Sequence, residues 1–176
     1  MDSNLTAYTR FATPLGDMTV TARDGLLRDV LIGREEFEKW QTVHRAVFMP
    51  DLPELKIARR QFGEYFSGKR TGFQLPFQLE GTPFQIRVWK ALHAIPYGET
   101  KSYTDVARAV GNPKAVRAVG QATRRNRLAI VVPCHRVIGK DGSLTGYAGD
   151  RIEWKQYLLE LEKRTIGNGM KPERRK

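Results

Sequence analysis

The chain of 176 residues is long enough for one or two small domains with a hydrophobic core, and its 40% hydrophobic content is that of a globular protein rather than a disordered one. No apolar run approaches the ~20 residues that cross a bilayer, and the opening MDSNLTAYTR lacks the basic-then-apolar layout of a signal peptide, so a soluble, cytoplasmic protein that meets no membrane is expected. The net charge of +11 lies wholly in the second half: residues 1–80 carry 11 basic and 11 acidic side chains, residues 81–176 carry 19 and 8.

The first third reads as a meander. Residues 7–13 and 18–23 alternate about Pro-Leu-Gly-Asp, and Asp24-Gly25 turns the chain into a third strand over 26–32. Residues 33–52 are mixed and charged and read as loop. Residues 53–67 place Leu55, Ala58, Phe62 and Phe66 at helical spacing, with Gly68 as the stop, and 73–79 reads as extended. Near Gly81 the neutral composition gives way to basic. Thr82, Pro83 and Gln85 form a capping-box signature for a helix with Phe84, Val88, Leu92 and Ile95 as its buried stripe, stopped by Pro96-Tyr97-Gly98.

A helix-turn-helix pattern follows. Ser102 caps a helix over 103–110, Gly111-Asn112-Pro113 supplies a tight turn with a cap and a first-turn proline, and a second helix over 114–124 contains Ala115, Ala118, Gly120 and Ala122. Small residues let a backbone approach another surface closely, whether protein or DNA. Lys101 to Arg127 holds seven basic residues against one acid, Asp105. That is the footprint of a polyanion-binding module, because Lys and Arg contacts release counterions from phosphates, although a basic face also serves solubility. An apolar run over 129–132, a turn at 140–142 and a last helix over 152–163 complete the chain.

The single cysteine excludes an internal disulfide and a Cys-rich zinc site, and the three histidines are scattered at 44, 93 and 135, so neither metal nor cofactor is expected. A lone cysteine is most often a buried small hydrophobe. Cys134, however, ends an apolar run after a proline and is followed by His135 and Arg136, a setting that favours thiolate, with the basic helix pair just upstream.

The stretch over 117–138, RAVGQATRRNRLAIVVPCHRVI, closely resembles the O6-alkylguanine-DNA alkyltransferases. Pro-Cys-His-Arg-Val is its specific core, with Arg-Ala-Val-Gly and Asn126 at the family's distances before it. Gly146-Tyr147-Ala148-Gly149 and residues 157–162 match the family's final loop and helix. The likeness is strong over 82–163 and limited to strand-then-helix order over 1–80. It implies an α+β fold: an N-terminal ribonuclease H-like sheet domain (1–80), a mostly helical winged-helix/helix-turn-helix DNA-binding domain (81–163), and a disordered basic tail (164–176).

The activity implied is DNA repair by direct reversal. The alkyl group of O6-alkylguanine, and of O4-alkylthymine, passes from double-stranded DNA irreversibly to Cys134, one turnover per protein molecule. A methylated-DNA–protein-cysteine methyltransferase of this kind acts as a monomer, with cooperative binding on DNA left open. In the implied scheme His135, bridged to Cys134 by water and held by Glu162, is the base, and Tyr103 hydrogen-bonds guanine N3. Arg117 fills the space left by the extruded nucleotide while Ala118, Gly120, Ala122 and Arg124 lie along DNA. Asn126 is the structural hinge joining the helix-turn-helix to the active-site segment, and Val137, Tyr147 and Ala148 line the base pocket. Read without the resemblance, His135 is a structural histidine, Tyr103 a packing aromatic, Arg117 a phosphate contact and Asn126 a turn residue.

Two departures stand out. Arg127 occupies the family's usual proline position, which predicts a less rigid loop, and residues 150–154 are one residue longer than the common pattern, which loosens the assignment of Glu162. Rival classes are a non-catalytic alkylated-DNA sensor, which would lack the acceptor cysteine, and a helix-turn-helix regulator, which would prefer one operator sequence. A cysteine hydrolase would need a distant histidine in a suggestive context, which neither His44 nor His93 has.

Overall fold

The computed structural model describes residues 5–145 and 151–173. They fall into two compact units, one running to residue 78 and taking in 127–129, the other comprising 79–126 and the chain from 130 onward.

In the first unit β1 (Thr6–Thr13), β2 (Gly16–Arg23) and β3 (Leu26–Ile32) form an antiparallel meander, and β4 (Ala46–Phe48) pairs parallel to β1, giving the order β3-β2-β1-β4. Asp24 and Gly25 close the second hairpin with φ of 56° and 75°. Both are left-handed, as a two-residue type I′ turn requires, and this pair of residue types adopts that conformation at low cost. Helices cover both faces of the sheet. Tyr8 and Phe11 are three apart on β1 and so point to opposite sides. Phe11 meets Phe62 of α2 (Pro53–Phe66) at 5.9 Å between ring centroids, and Tyr8 meets Phe37 of α1 (Arg34–Gln41) at 4.9 Å.

The segment 33–52, read as loop, therefore holds both α1 and β4. Only Phe37 and Trp40 of α1 are buried, and Glu35, Glu36 and Lys39 dominate its composition, so the apolar periodicity is too sparse to announce a helix. Conversely, 73–79 forms no strand. It makes a single bridge at Phe77 to Leu27, with the Leu27 N–H donating to the Pro76 carbonyl at 2.9 Å. Asp29, 2% exposed on β3, accepts hydrogen bonds from Thr21 Oγ1 (2.9 Å) and Arg127 Nε (2.7 Å), and the Arg127 carbonyl accepts from Val30 N–H at 2.8 Å. Arg127 thus ties down a loop that, lacking the family's proline, was expected to be less rigid.

The second unit begins with α3 (Pro83–His93). Its capping box is formed as the residue types dictate, Gln85 N–H to Thr82 Oγ1 at 3.2 Å and Thr82 N–H to Gln85 Oε1 at 3.0 Å. β5 (Lys101–Ser102) leads directly into α4 (Tyr103–Ala109), capped by Ser102 with Asp105, and Gly111 (φ 81°) turns the chain toward α5 (Val116–Arg124). α5 begins later than expected and without a side-chain cap. Residues 112–115 instead close their own turn, Ala115 N–H to the Asn112 carbonyl at 3.0 Å. α3 packs against both helices of the pair. Its buried stripe is Val88, Trp89 and Leu92, with the expected Phe84 only half-buried, and Trp89 Nε1 donates to the Ala122 carbonyl at 2.8 Å. A Cβ at Gly81 would sit 2.7 Å from the Trp89 ring, so that position accepts glycine alone.

β6 (Val137–Ile138) runs parallel to β5, and α6 (Ile152–Gly167) closes the unit. α6 passes the expected end at 163, burying Thr165 within what was read as the tail. No helix among the described residues is long and apolar enough to cross a membrane.

Asp29→Ala removes the acceptor of both Thr21 and Arg127 and is expected to cost about 1–3 kcal/mol. Thermal unfolding of the full chain should show a lower midpoint; an unchanged one refutes the tether.

Candidate active site

Cys134 opens a single 3-10 turn, Cys134–Arg136, that runs straight into β6. The parallel pairing of Lys101 with Val137 and Ser102 with Ile138 sets the start of α4 beside this turn, which brings Tyr103 and Cys134 together although 31 positions separate them in sequence. The approach to the turn is fixed from the other side. Ile130, 1% exposed, adopts φ 73°, a conformation that costs a β-branched residue about 1–3 kcal/mol and persists only where its surroundings enforce it. Two residues on, the Val132 carbonyl accepts from Asn126 Nδ2 (2.8 Å), and from the Cys134 N–H (2.8 Å). Asn126 thus joins the end of α5 to the cysteine-bearing segment.

Beneath the turn lies a buried ionic cluster. Glu162 of α6, 1% exposed, accepts from His135 Nε2 at 2.7 Å and from the Arg136 guanidinium at 2.8 Å (Nη2) and 2.9 Å (Nε), and its Oε2 takes the Gly98 N–H at 3.1 Å. Arg136 also donates to the Ile95 carbonyl at 2.7 Å. Gly98 has φ 80°, and a Cβ there would meet Ile166 at 3.0 Å, so the donor to Glu162 is glycine for two reasons.

The electrostatics follow from this packing. Burial alone would raise the Glu162 carboxyl, but His135 and then Arg136 outweigh it and hold the group well below the usual carboxylate range. His135 is pushed below its ordinary value by burial, against the pull of Glu162, and is therefore the neutral imidazole at physiological pH. An ionised carboxylate only accepts, so Nε2 carries the ring proton and Nδ1 is the basic nitrogen. The Cys134 thiol, 6% exposed, is raised by burial; Asn126, Lys155 and the backbone N–H groups of Cys134 and His135 pull the other way. The resting side chain is a thiol, and the neutral His135 is next to it in the chain.

Tyr103 donates its hydroxyl to the Thr145 carbonyl at 3.0 Å, and its phenol is raised by burial, with the Cys134 sulfur adding to the rise. Lys155 of α6 is fully buried, donates to the same carbonyl at 3.0 Å, and lies 5.7 Å from the Tyr103 ring centroid. Burial brings its pKa down to about 8, against the opposing influence of Cys134. A cavity of about 400 Å3 opens beside Tyr103, lined on α5 by Arg117, Gly120, Gln121 and Arg124.

Of the residues singled out in the sequence, Cys134, His135, Glu162, Tyr103 and Asn126 gather here, and Arg117, Ala118, Gly120 and Arg124 share the outward side of α5. Val137 is fully buried in β6. Ala122 is a correction: it is 3% exposed, and its backbone carbonyl accepts from Trp89 Nε1, so it does not belong to the outward face. Tyr147 and Ala148 lie outside the described residues. Arg136, Lys155, Gly98 and Gln121 were missed. Lys155, Leu158 and Glu162 recur at the spacing of one helix face, which was the available signal.

The chain matches two family models end to end: the ribonuclease-like domain of 6-O-methylguanine DNA methyltransferase over residues 6–79, and the DNA binding domain of the same family over 83–164. It is 48% identical over 156 residues to the constitutive methylated-DNA–protein-cysteine methyltransferase of Bacillus subtilis, covering 89% of this chain and 94% of that protein. The Mycobacterium tuberculosis methylated-DNA–protein-cysteine methyltransferase is 44% identical over 156 residues, 89% of this chain and 92% of its own. The crystal structure of Mycobacterium tuberculosis O6-methylguanine methyltransferase superposes with a TM-score of 0.83 at 42% identity, covering 92% of this chain and 94% of that one. The structure of Mycobacterium tuberculosis OGT in complex with DNA gives 0.79 at 43% identity, covering 90% and 94%. This chain belongs to the 6-O-methylguanine DNA methyltransferase family.

Because folding lowers the Glu162 pKa, its contribution to stability is complete above the ordinary glutamate value of about 4.3 and is lost as pH falls toward the folded value. His135, also lowered, acts in the same sense below about 6.5, where the unfolded ring binds the proton more readily. Resistance to urea is thus expected to fall steadily below neutrality, and Glu162→Gln should flatten the acid limb. Arg136→Met strands the buried carboxylate and should cost about 3–5 kcal/mol; a loss below 1 kcal/mol, or an unaltered acid limb in Glu162→Gln, contradicts the cluster.

Proposed function

We infer that this protein repairs O6-methylguanine in DNA by transferring the methyl group to Cys134, and treats O4-alkylthymine, which carries the same alkyl–oxygen bond, likewise. The observation that carries the assignment of roles is the juxtaposition of one thiol, a neutral histidine oriented by a buried carboxylate, and a phenol that lines a cavity on the basic helix α5.

The reacting carbon is buried in the duplex stack, so the nucleotide must be extruded, which costs a few kcal/mol and less for a lesion that pairs badly. Ala118 and Gly120 allow the α5 backbone to approach a groove closely, Arg117 fills the gap in the stack, and Arg124 binds phosphate. The extruded base enters beside Tyr103. Its hydroxyl must exchange the Thr145 carbonyl for guanine N3, where it meets the negative charge that grows as the alkyl group leaves.

Seating the base displaces bulk water, and the Cys134 proton passes toward His135 Nδ1 through one retained bridging water, with Glu162 stabilising the imidazolium. The sulfur lone pair forms the S–C bond as the C–O bond breaks, and the bonding pair returns to the guanine. Tyr103 neutralises the purine with a proton, and the proton held by His135 restores the phenol, so the net change is thiol plus methoxypurine to thioether plus guanine. Dealkylation would require an alkyl thiolate to leave an unactivated methyl carbon, so the thioether persists and one protein repairs one lesion. The protein acts as a monomer on DNA inside the cell. A sensor of alkylated DNA would have no use for the acceptor and its base.

Two measurements test this. Tritiated methyl transferred from an excess of duplex substrate should plateau at one equivalent per protein; continued turnover overturns the single-use reading. Arg117→Ala should slow transfer from duplex by about 10–100-fold, the kinetic weight of part of the extrusion cost, while changing transfer from single-stranded substrate little; equal losses on both would remove Arg117 from extrusion.

A further inference from the structure

The second unit carries a larger cavity that no step of alkyl transfer uses. It lies between α3 and α4, has a volume of about 930 Å3, and shares no lining residue with the cavity beside Tyr103. Its floor is apolar: Ile95 and Val106 at the bottom are 4% and 3% exposed, with Ala91 and Val110 flanking them. Its rim is cationic. Arg87 and Lys90 rise from α3, Lys101 from β5 and Arg108 from α4, and the one acid, Asp105, is already engaged by the Ser102 N–H at 2.9 Å. Ala94 and Ala109 at the mouth keep the groove open, because longer side chains at these two helix positions would lie across it.

We propose that this groove docks an acidic, amphipathic segment of a partner protein, seating a bulky apolar side chain over Ile95 and Val106 while flanking carboxylates meet the four rim cations. The two halves of the site ask for different things, and one ligand class supplies both. Cations alone would suit any polyanion, but a duplex presents phosphates and no apolar anchor to cover the floor, and the common duplex readers project a helix into its grooves. A helix or extended peptide with an aliphatic or aromatic anchor fits a groove between two helices, a recurring mode of peptide recognition. Ion pairs at an exposed rim are individually weak, so the apolar anchor supplies the affinity and the cations supply orientation and a fast encounter. The groove and the cavity beside Tyr103 share no lining residue.

The test uses the full chain and fluorescence anisotropy of a short fluorescein-labelled peptide with a Leu-Phe pair flanked on both sides by aspartates. Saturable binding is expected, weakened by about tenfold or more when Leu-Phe is replaced by Ser-Ser at constant charge. The surface variants Lys90→Glu and Ala94→Glu, combined, should weaken the Leu-Phe peptide by at least a similar factor, while the rate of methyl transfer from duplex DNA is unchanged. No binding, equal binding of the Ser-Ser peptide, or indifference to the double variant overturns the proposal. Loss of duplex affinity in the double variant also overturns it, since the groove would then be part of the DNA surface.

Discussion

One buried carboxylate organises the reactive end of this protein. Glu162 receives His135, Arg136 and the Gly98 N–H, and two of these three donors are the residues that immediately follow the cysteine. The same anion therefore sets the tautomer of the base, compensates a buried guanidinium and clamps the turn bearing Cys134 to α6. None of the charged members can be removed singly without leaving another desolvated and unmatched, and that cost makes the geometry rigid.

Rigidity and reactivity are in tension here. Burial that holds the cluster together also raises the Cys134 thiol and lowers His135, so in the free protein the proton rests on sulfur. A standing thiolate would react with any available electrophile, and a buried thiol is protected from that fate. In the proposed reaction the neutral His135 accepts the proton once a bound base displaces bulk water, and the buried Lys155 ammonium near the sulfur favours the anion so formed. Strain at Ile130 and the Asn126 link to Val132 keep the segment leading to the cysteine from relaxing out of this arrangement.

What could be read from residues alone divides along physical lines. The meander was legible because Asp24-Gly25 admits few backbone conformations, and α3 because its cap is written in four consecutive residues. Helix α1 was not, since two apolar side chains among charges carry too little periodicity, and 73–79 looked like a strand because a buried extended segment shares its composition. In the site, Cys134, His135 and Asn126 were legible from motif context, and Glu162 from the resemblance despite the extra residue before α6. Lys155 shares a helix face with Leu158 and Glu162, but lysine on a helix ordinarily faces water, so that spacing was outweighed and the fold shows it enclosed beneath Thr145. Ala122 was misplaced because small residues occur on both the outward and the Trp89-facing sides of α5, and composition does not separate the two. Arg127 shows the reverse case: a missing proline suggested looseness, while the ion pair to Asp29 supplies another means of restraint.

The central claim is that the alkyl carbon ends on the sulfur held above Glu162. Intact-mass measurement followed by peptide mapping, after incubation with a duplex containing O6-methylguanine, tests it most directly. A gain of one CH2 unit confined to the peptide containing Cys134 is expected, matched by conversion of the lesion to guanine. Restored guanine with the protein mass unchanged, or a methyl group mapped to any other residue, would contradict it.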